Sequence, residues 1–128
     1  MFREHKIPFT IPNVNHGMVT VKGLLHIKKD KLLLEFDKKD GIVGILSSGV
    51  KQAVIPFEEL DSVSFEKKFF KGVITISGKS MKVLENVPGA EQGLSKLTVA
   101  RKHRKEAEDA VRSARVVLSE FKLNEMDE

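Results

Sequence analysis

Apolar and polar residues alternate along most of the first hundred positions, which is typical of strands with one buried face. The clearest stretch runs from 17 to 28, where Val19, Val21, Leu25 and Ile27 share one side and mostly polar residues share the other. The same pattern predicts further strands at Leu32–Phe36, Val50–Ile55, Val63–Phe65, Gly72–Ser77, Met81–Val83 and Leu94–Val99. Most of the chain is therefore expected to form a sheet.

Two prolines mark the N-terminal segment, residues 1–16, in which apolar residues also alternate. Because proline cannot donate a hydrogen bond to a sheet ladder, Pro8 and Pro12 favour an extended segment at a sheet edge. The domain itself is expected to span residues 17–121, with 1–16 leading into it.

The pattern changes near residue 101, where apolar residues begin to recur at spacings of three and four. This spacing predicts one amphipathic helix over about residues 101–121. Its apolar stripe comprises Ala107, Ala110, Val111, Ala114, Val117, Leu118 and Phe121. On its solvent-facing side, Glu108 and Arg112 have the spacing of an i,i+4 ion pair. Residues 122–128 lack a pattern and are expected to form a flexible acidic tail.

These elements predict a mainly β (α+β) fold. Its architecture would be a small antiparallel barrel or two packed sheets of about seven strands, capped by one C-terminal amphipathic α-helix. The chain of 128 residues suits one domain. It has no cysteine, which excludes disulfides and thiolate metal sites. No apolar run approaches the length of a membrane-spanning helix, so a cytoplasmic location is expected.

Charge is distributed unevenly along the chain, whose net charge is +4. Residues 1–105 carry 19 basic and 11 acidic groups, whereas residues 106–128 carry 3 basic and 7 acidic groups. A basic body attracts nucleic acid, anionic lipid or an acidic protein. The alternative is ordinary surface charge that keeps the protein in solution.

Motifs for catalysis are weak. Gly78-Lys79-Ser80 matches the end of a phosphate-binding loop, but Val73 stands where that loop needs glycine. The histidines are isolated and lack metal-ligand spacing; His26, on the polar side of its strand, is expected to be solvated. We therefore expect no catalytic residue, metal, cofactor or nucleotide site, and hence no enzyme.

Two basic clusters are the candidate sites. The first is Lys67, Lys68, Phe69, Phe70 and Lys71, at the tip of a predicted hairpin. Phenylalanines beside lysines suit an anionic membrane interface or stacking on nucleic-acid bases. The alternative is that at least one ring folds back onto the core. The second cluster is Arg101, Lys102, Arg104 and Lys105, with His103, at the helix start. It is either an anion site or a solvated run.

Three segments resemble a pleckstrin-homology (PH)-like domain, particularly the bacterial PH-like type. They are the hairpin sequence Gly23–Phe36, the corner Ile55–Val63 with Pro56 and Phe57, and the terminal helix. The resemblance covers about residues 17–121. It implies a barrel plugged by the helix, and a binding module without catalysis. It also makes Lys22, Lys29 and Lys31 candidate headgroup ligands, although the expected arginine is missing.

Two functions remain open. The first is a binding or assembly module with a protein partner, or a second copy, at an exposed strand edge or the apolar Ile42–Leu46 segment. The alternative is peripheral attachment to acidic membrane or nucleic acid through the two basic clusters.

Overall fold

The computed structural model describes residues 4–14, 19–37 and 50–126. The strands and helix are β1 (His5–Asn13), β2 (Val19–Ile27), β3 (Lys31–Asp37), β4 (Val50–Pro56), β5 (Leu60–Lys67), β6 (Lys71–Gly78), β7 (Leu94–Ala100) and α1 (Arg104–Met126). Short 3-10 turns span Phe57–Glu59, Met81–Leu84 and Arg101–His103. The mainly β prediction with a C-terminal helix is confirmed.

The strands form one antiparallel sheet in the order β4-β3-β2-β1-β7-β6-β5. Strands β4 and β5 lie at its two ends, and no ladder joins them among the described residues. The described part of the sheet is therefore not a closed barrel. The order also places the β5–β6 turn and the end of β7 at the same end of these neighbouring strands, because the strands run in opposite directions.

Strand β1 lies inside the sheet, so the expected edge position of the N-terminal segment is wrong. It pairs with β2 from His5 to Ile11 and with β7 at Thr10. Its apolar residues Ile7, Phe9 and Ile11 belong to the core. Pro8 lies opposite Leu24 within the β1–β2 ladder, whereas the pairing with β7 is limited to Thr10.

The core lies between the inward rows of the strands and the apolar stripe of α1. From β3 it takes Leu32, Leu34 and Phe36, as the alternation predicts. The helix packs mainly on β5 and on the turn Phe57–Glu59. Its buried residues are Ala107, Ala110, Val111, Ala114 and Leu118. Three alanines in this set let the helix approach the sheet closely.

Phe57 closes the corner between β4 and β5. Its side chain is fully buried, and its ring stacks on Phe121 of α1 with 5.8 Å between centroids. Its backbone N–H donates to the carbonyl of Asp30 in the β2–β3 turn, at 3.0 Å. The corner residues Leu60 and Val63 are buried as expected.

Two further predictions from the sequence are wrong. Met81–Leu84 is a 3-10 turn rather than a strand, because β7 already pairs along β6 and Gly78 N–H donates to the carbonyl of Gly93 at 3.0 Å. Arg112 pairs at 3.2 Å with Asp109, three residues before it, rather than with Glu108, four residues before it, as the spacing predicted.

The helix also continues to Met126, beyond its predicted end near Phe121. Lys122 Nζ donates to the carbonyl of Asp61 at 2.6 Å, and Lys79 Nζ pairs with the Glu125 carboxylate at 2.8 Å. These contacts fasten its last turns to the sheet, which explains why a polar segment stays helical. The apolar segment Ile42–Leu46 lies outside the described residues.

Candidate anion-binding surface

The β5–β6 hairpin ends in a tight turn that displays two aromatic rings. Lys68 N–H donates to the carbonyl of Lys71 at 2.8 Å, which leaves Phe69 and Phe70 at the apex. Their exposed fractions are 75% and 74%, so neither ring folds back onto the core. The rings meet edge to face, with 4.6 Å between centroids. Edge-to-face contact is a preferred arrangement of aromatic pairs.

The start of the helix lies beside this turn. Strand β7 pairs with β6 up to Ala100, which is opposite Lys71. The chain therefore leaves the sheet next to the turn and enters Arg101–His103 and α1 directly. The fold thus brings together the two basic clusters that are 30 residues apart in the sequence. We call residues Lys67–Lys71 and Arg101–Lys105 the tip surface.

Arg104 joins the two halves of the tip surface. Its Nη1 donates to the carbonyl of Lys68 at 2.6 Å and to that of Phe69 at 3.2 Å. The guanidinium carbon of Arg101 lies 5.8 Å from the centroid of the Phe69 ring, within cation–π range. These contacts fix the turn against the helix start, so the rings project from a supported base.

A shallow cavity of about 160 Å³ opens beside the turn. It is lined by Phe65, Lys67, Arg101, Lys102, Arg104, Lys105 and Glu108. Phe65 reaches it because the neighbouring Gly72 has no side chain; an added Cβ would lie 2.5 Å from the ring. Over residues 66–71 and 101–108 the sequence supplies seven basic and three acidic side chains. The surface therefore carries a local excess of positive charge.

The other candidate cations do not form a site together. Lys29 lies in the β2–β3 turn and Lys31 begins β3, whereas Lys22 lies near the start of β2 opposite Asp37. Six residues of β3 separate Lys31 from that pairing, which is about 20 Å. The headgroup set that the resemblance implied is therefore divided between two ends of the sheet.

A second cavity, of about 450 Å³, was not foreseen from the sequence. It lies between α1 and the edge strand β5 and is lined by Phe65, Glu108, Val111, Arg112, Arg115, Val116 and Ser119. The only signal in the sequence is Val116, an apolar residue outside the helix's inward stripe. Its exposed fraction is 56%.

The residues considered for catalysis make contacts within the fold instead. Gly78 ends β6, and Lys79 is held by Glu125 at the far end of the helix. The imidazole of His26 contacts the Glu35 carboxylate across the β2–β3 ladder and is mostly buried, so the expected solvated position is wrong. Within the described ranges, no three His, Asp or Glu side chains group as metal ligands would. No helix there is long and apolar enough to cross a membrane.

Comparison with known proteins finds no protein-family model and no curated protein that matches the chain. The tip surface provides two exposed rings, cations from two segments that are 30 residues apart in the sequence, and a cavity beside the rings.

Proposed function

We propose that the protein is a non-catalytic module that attaches to anionic membrane surfaces through the tip surface. The observation that carries this proposal is the Arg104 contact with the turn, because it unites the aromatic apex and the helix-start cations in one surface. Protein interaction ranks first on sequence grounds. The convergence of the two clusters favours membrane attachment instead.

The two rings suit the boundary between headgroups and acyl chains. Phe69 and Phe70 are the most exposed aromatic residues in the described part of the chain, and they project at the apex of a hairpin. Burying a phenylalanine ring contributes about 1.5–3 kcal/mol. An exposed apolar pair costs solubility, so its placement at a tip is best explained by a surface that accepts it.

The cations supply the second part of the attraction. A basic side chain close to an acidic leaflet contributes about 1 kcal/mol. Lys67, Lys68 and Lys71 surround the rings, and the helix-start residues extend the positive surface to one side. Rings that enter the lipid and cations that remain with the headgroups act in the same orientation.

Nucleic acid fits the same charges less well. Base stacking needs open ring faces that lie side by side along a groove. Here Phe70 meets Phe69 edge to face, and the guanidinium of Arg101 lies over the Phe69 ring. The rings form a projecting wedge, which suits insertion into lipid better than stacking.

The strand order and the terminal helix support the resemblance to PH-like domains, which are binding modules without catalysis. We include in the proposal that the protein acts at a membrane surface reached from the cytoplasm. The site proposed is the β5–β6 turn and the helix start, rather than the β2–β3 hairpin with Lys29 and Lys31.

The test is co-sedimentation with phosphatidylcholine vesicles that contain or lack phosphatidylserine. We expect binding to the acidic vesicles only, weakened by added salt because the Coulomb part is screened. Phe69→Ala with Phe70→Ala should lower the affinity by about a hundredfold, or about tenfold per ring. Met81→Ala, at another exposed apolar residue, is the matched control and should bind as the parent does.

Two results would overturn the proposal. One is equal binding to neutral and acidic vesicles. The other is tight retention of single-stranded DNA by the parent protein together with no vesicle binding, which would assign the tip surface to nucleic acid.

A further inference from the structure

A second apolar stripe runs along the solvent-facing side of α1. Its members recur at spacings of three, four and three residues: Val116, Ser119, Leu123 and Met126. The exposed fractions of Val116, Leu123 and Met126 are 56%, 60% and 80%. With about 3.6 residues per turn, this stripe lies opposite the inward stripe centred on Ala114, so packing on the sheet leaves it uncovered.

The spacing of this outer stripe is the heptad pattern of a two-stranded coiled coil. An isolated helix of this length would be marginal in water. Here α1 is already held in its helical form by packing on β5 and by the contact of Lys122 Nζ with the Asp61 carbonyl. Pairing through the outer stripe therefore requires no folding of the helix.

The charges on either side of the outer stripe favour a second copy of this chain, aligned in parallel. Arg115 flanks one side and Glu120 the other, and neither has an opposite charge three or four positions away. Within the described part of the chain neither forms an ion pair. In a parallel pair of helices, Arg115 of each copy faces Glu120 of the other. An antiparallel pair brings each flank against itself and sets Glu120 against Glu120.

The same face of α1 becomes polar toward its start. It carries Lys105, Asp109 and Arg112 there, and the last two pair with each other at 3.2 Å. In a parallel pair each of these charges would meet its own copy, so the two helices diverge in this half. The contact is thus confined to residues 116–126, a length of about 16 Å. A contact of this size is typical of a weak, reversible dimer.

We infer that two copies of this chain associate through the C-terminal half of α1 as a short parallel coiled coil, with Leu123 packed against Leu123 and Arg115 paired with Glu120 of the second copy. Each tip surface lies at the N-terminal end of its helix, so the parallel pair turns both tip surfaces to the same side. The dimer itself does not depend on a membrane. Its use for attachment at two points rests on the proposed function.

Sedimentation equilibrium of the full chain, from about 5 to about 500 µM, measures the association. We expect a dimer with a dissociation constant of about 50 µM. Leu123→Glu should weaken it by about thirtyfold or more, because two carboxylates then face each other between the helices. Asn124→Glu is the matched control, since it adds the same charge at the next exposed residue, off the stripe, and should dimerise as the parent does. Circular dichroism confirms that both variants are folded.

A charge exchange tests the parallel alignment. Arg115→Glu should weaken the dimer about tenfold, because two attractions become two repulsions. Arg115→Glu combined with Glu120→Arg restores opposite charges across the interface, and its dissociation constant should return to within about twofold of the parent value. A double variant as weak as Arg115→Glu alone would contradict this alignment.

Cross-linking tests the register, because the chain has no cysteine of its own. Ser119→Cys and Leu123→Cys each place one thiol on the outer stripe, where equivalent positions of a parallel pair lie within disulfide range. Under oxidation by copper phenanthroline, each should form a covalent dimer about tenfold faster than Asn124→Cys, whose thiol lies off the stripe.

Three outcomes would overturn the inference. They are a monomer at the highest concentration, unchanged dimerisation of Leu123→Glu, and covalent dimers that form only when Ser119→Cys is mixed with Leu123→Cys, which would indicate an antiparallel pair.

Vesicle binding is scored separately from dimerisation. Leu123→Glu should bind acidic vesicles about tenfold more weakly than Asn124→Glu, because it attaches at one point instead of two. Equal binding of these two variants would refute attachment at two points. A parent dimer that binds no vesicles would refute the membrane function and leave the dimer in place.

Discussion

The β2–β3 and β5–β6 hairpins share a backbone design and differ in what surrounds them. Both turns are rich in lysine. Both close with the same hydrogen bond, from Lys28 to Lys31 at 2.9 Å and from Lys68 to Lys71 at 2.8 Å. Local sequence therefore gives them similar conformations.

Their partners give them different roles. The Asp30 carbonyl of the first turn accepts a hydrogen bond from the backbone N–H of Phe57. Lys28 Nζ lies 3.7 Å from Glu4 Oε1. That turn helps to close the core. The second turn has its carbonyls held by Arg104, and its apex residues are phenylalanines exposed to solvent. A lysine-rich turn becomes a candidate site only when distant residues add charge and support.

The largest effect is expected from the phenylalanine beside the first turn. Phe57→Ala should lower the free energy of unfolding by about 3–5 kcal/mol, because it leaves a cavity between the corner and Phe121. Removing both apex rings should change stability by only about 0.5 kcal/mol, because they are exposed. Urea unfolding of both variants measures the contrast. Equal losses would show that the apex rings pack in solution.

The next effect separates the lysines of the two turns. Lys68→Ala with Lys71→Ala should weaken binding to acidic vesicles about thirtyfold, at about 1 kcal/mol per charge. Lys29→Ala with Lys31→Ala removes the same charge from the other turn and should change affinity by about twofold or less. Vesicle titration at low salt compares them. Similar losses would mean that net charge, rather than the tip surface, determines binding.

A smaller effect tests the support that the second turn receives. Arg104→Lys keeps the charge but loses the planar group that bonds two carbonyls, so vesicle affinity should fall about fivefold, equivalent to about 1 kcal/mol. Arg112→Lys is the control, since Arg112 pairs with the exposed Asp109. Nuclear magnetic resonance of the Phe69 and Phe70 amides should show increased motion in Arg104→Lys alone. Unchanged amides in that variant would exclude a positioning role.

The smallest effect concerns the first turn's own ion pair. Lys28→Ala should cost about 0.3 kcal/mol, because both partners are partly exposed and the pair is screened by solvent. Thermal unfolding at low and high salt measures it. A loss well above 1 kcal/mol would mean that this turn depends on charge as the second turn does on Arg104.

Much of the fold is predictable because it follows from local periodicity. The inward row Leu32, Leu34 and Phe36 and the helix stripe with Ala107 and Leu118 are both buried as the pattern requires. The pattern wrongly predicts a strand at Met81–Leu84, because local apolar spacing does not show that β7 already pairs with β6. It also ended the helix early, because the contacts of Lys122 and Glu125 come from residues far away in the chain.

The candidate site was predicted in parts but not as a whole. Composition identifies Phe69 and Arg104 separately as members of basic clusters. Their contact depends on where β7 ends relative to β6, which is a property of sheet register. The cavity between α1 and β5 was missed for a related reason. The strand order makes β5 an edge strand among the described residues, and the packing of α1 places Val116 in the cavity beside it.

The helix spans the β5–β6 hairpin from its apex to its base. Arg104 grips the apex, while Lys122 and Glu125 hold Asp61 and Lys79 at the base, over a helix about 34 Å long. The single helix α1 thus supports both ends of the β5–β6 hairpin. A force on the apex would be transmitted through α1 to the core instead of breaking the β5–β6 hydrogen bonds one after another. Under the proposed membrane attachment, the rings would leave a lipid layer and re-enter it without unfolding the hairpin that carries them.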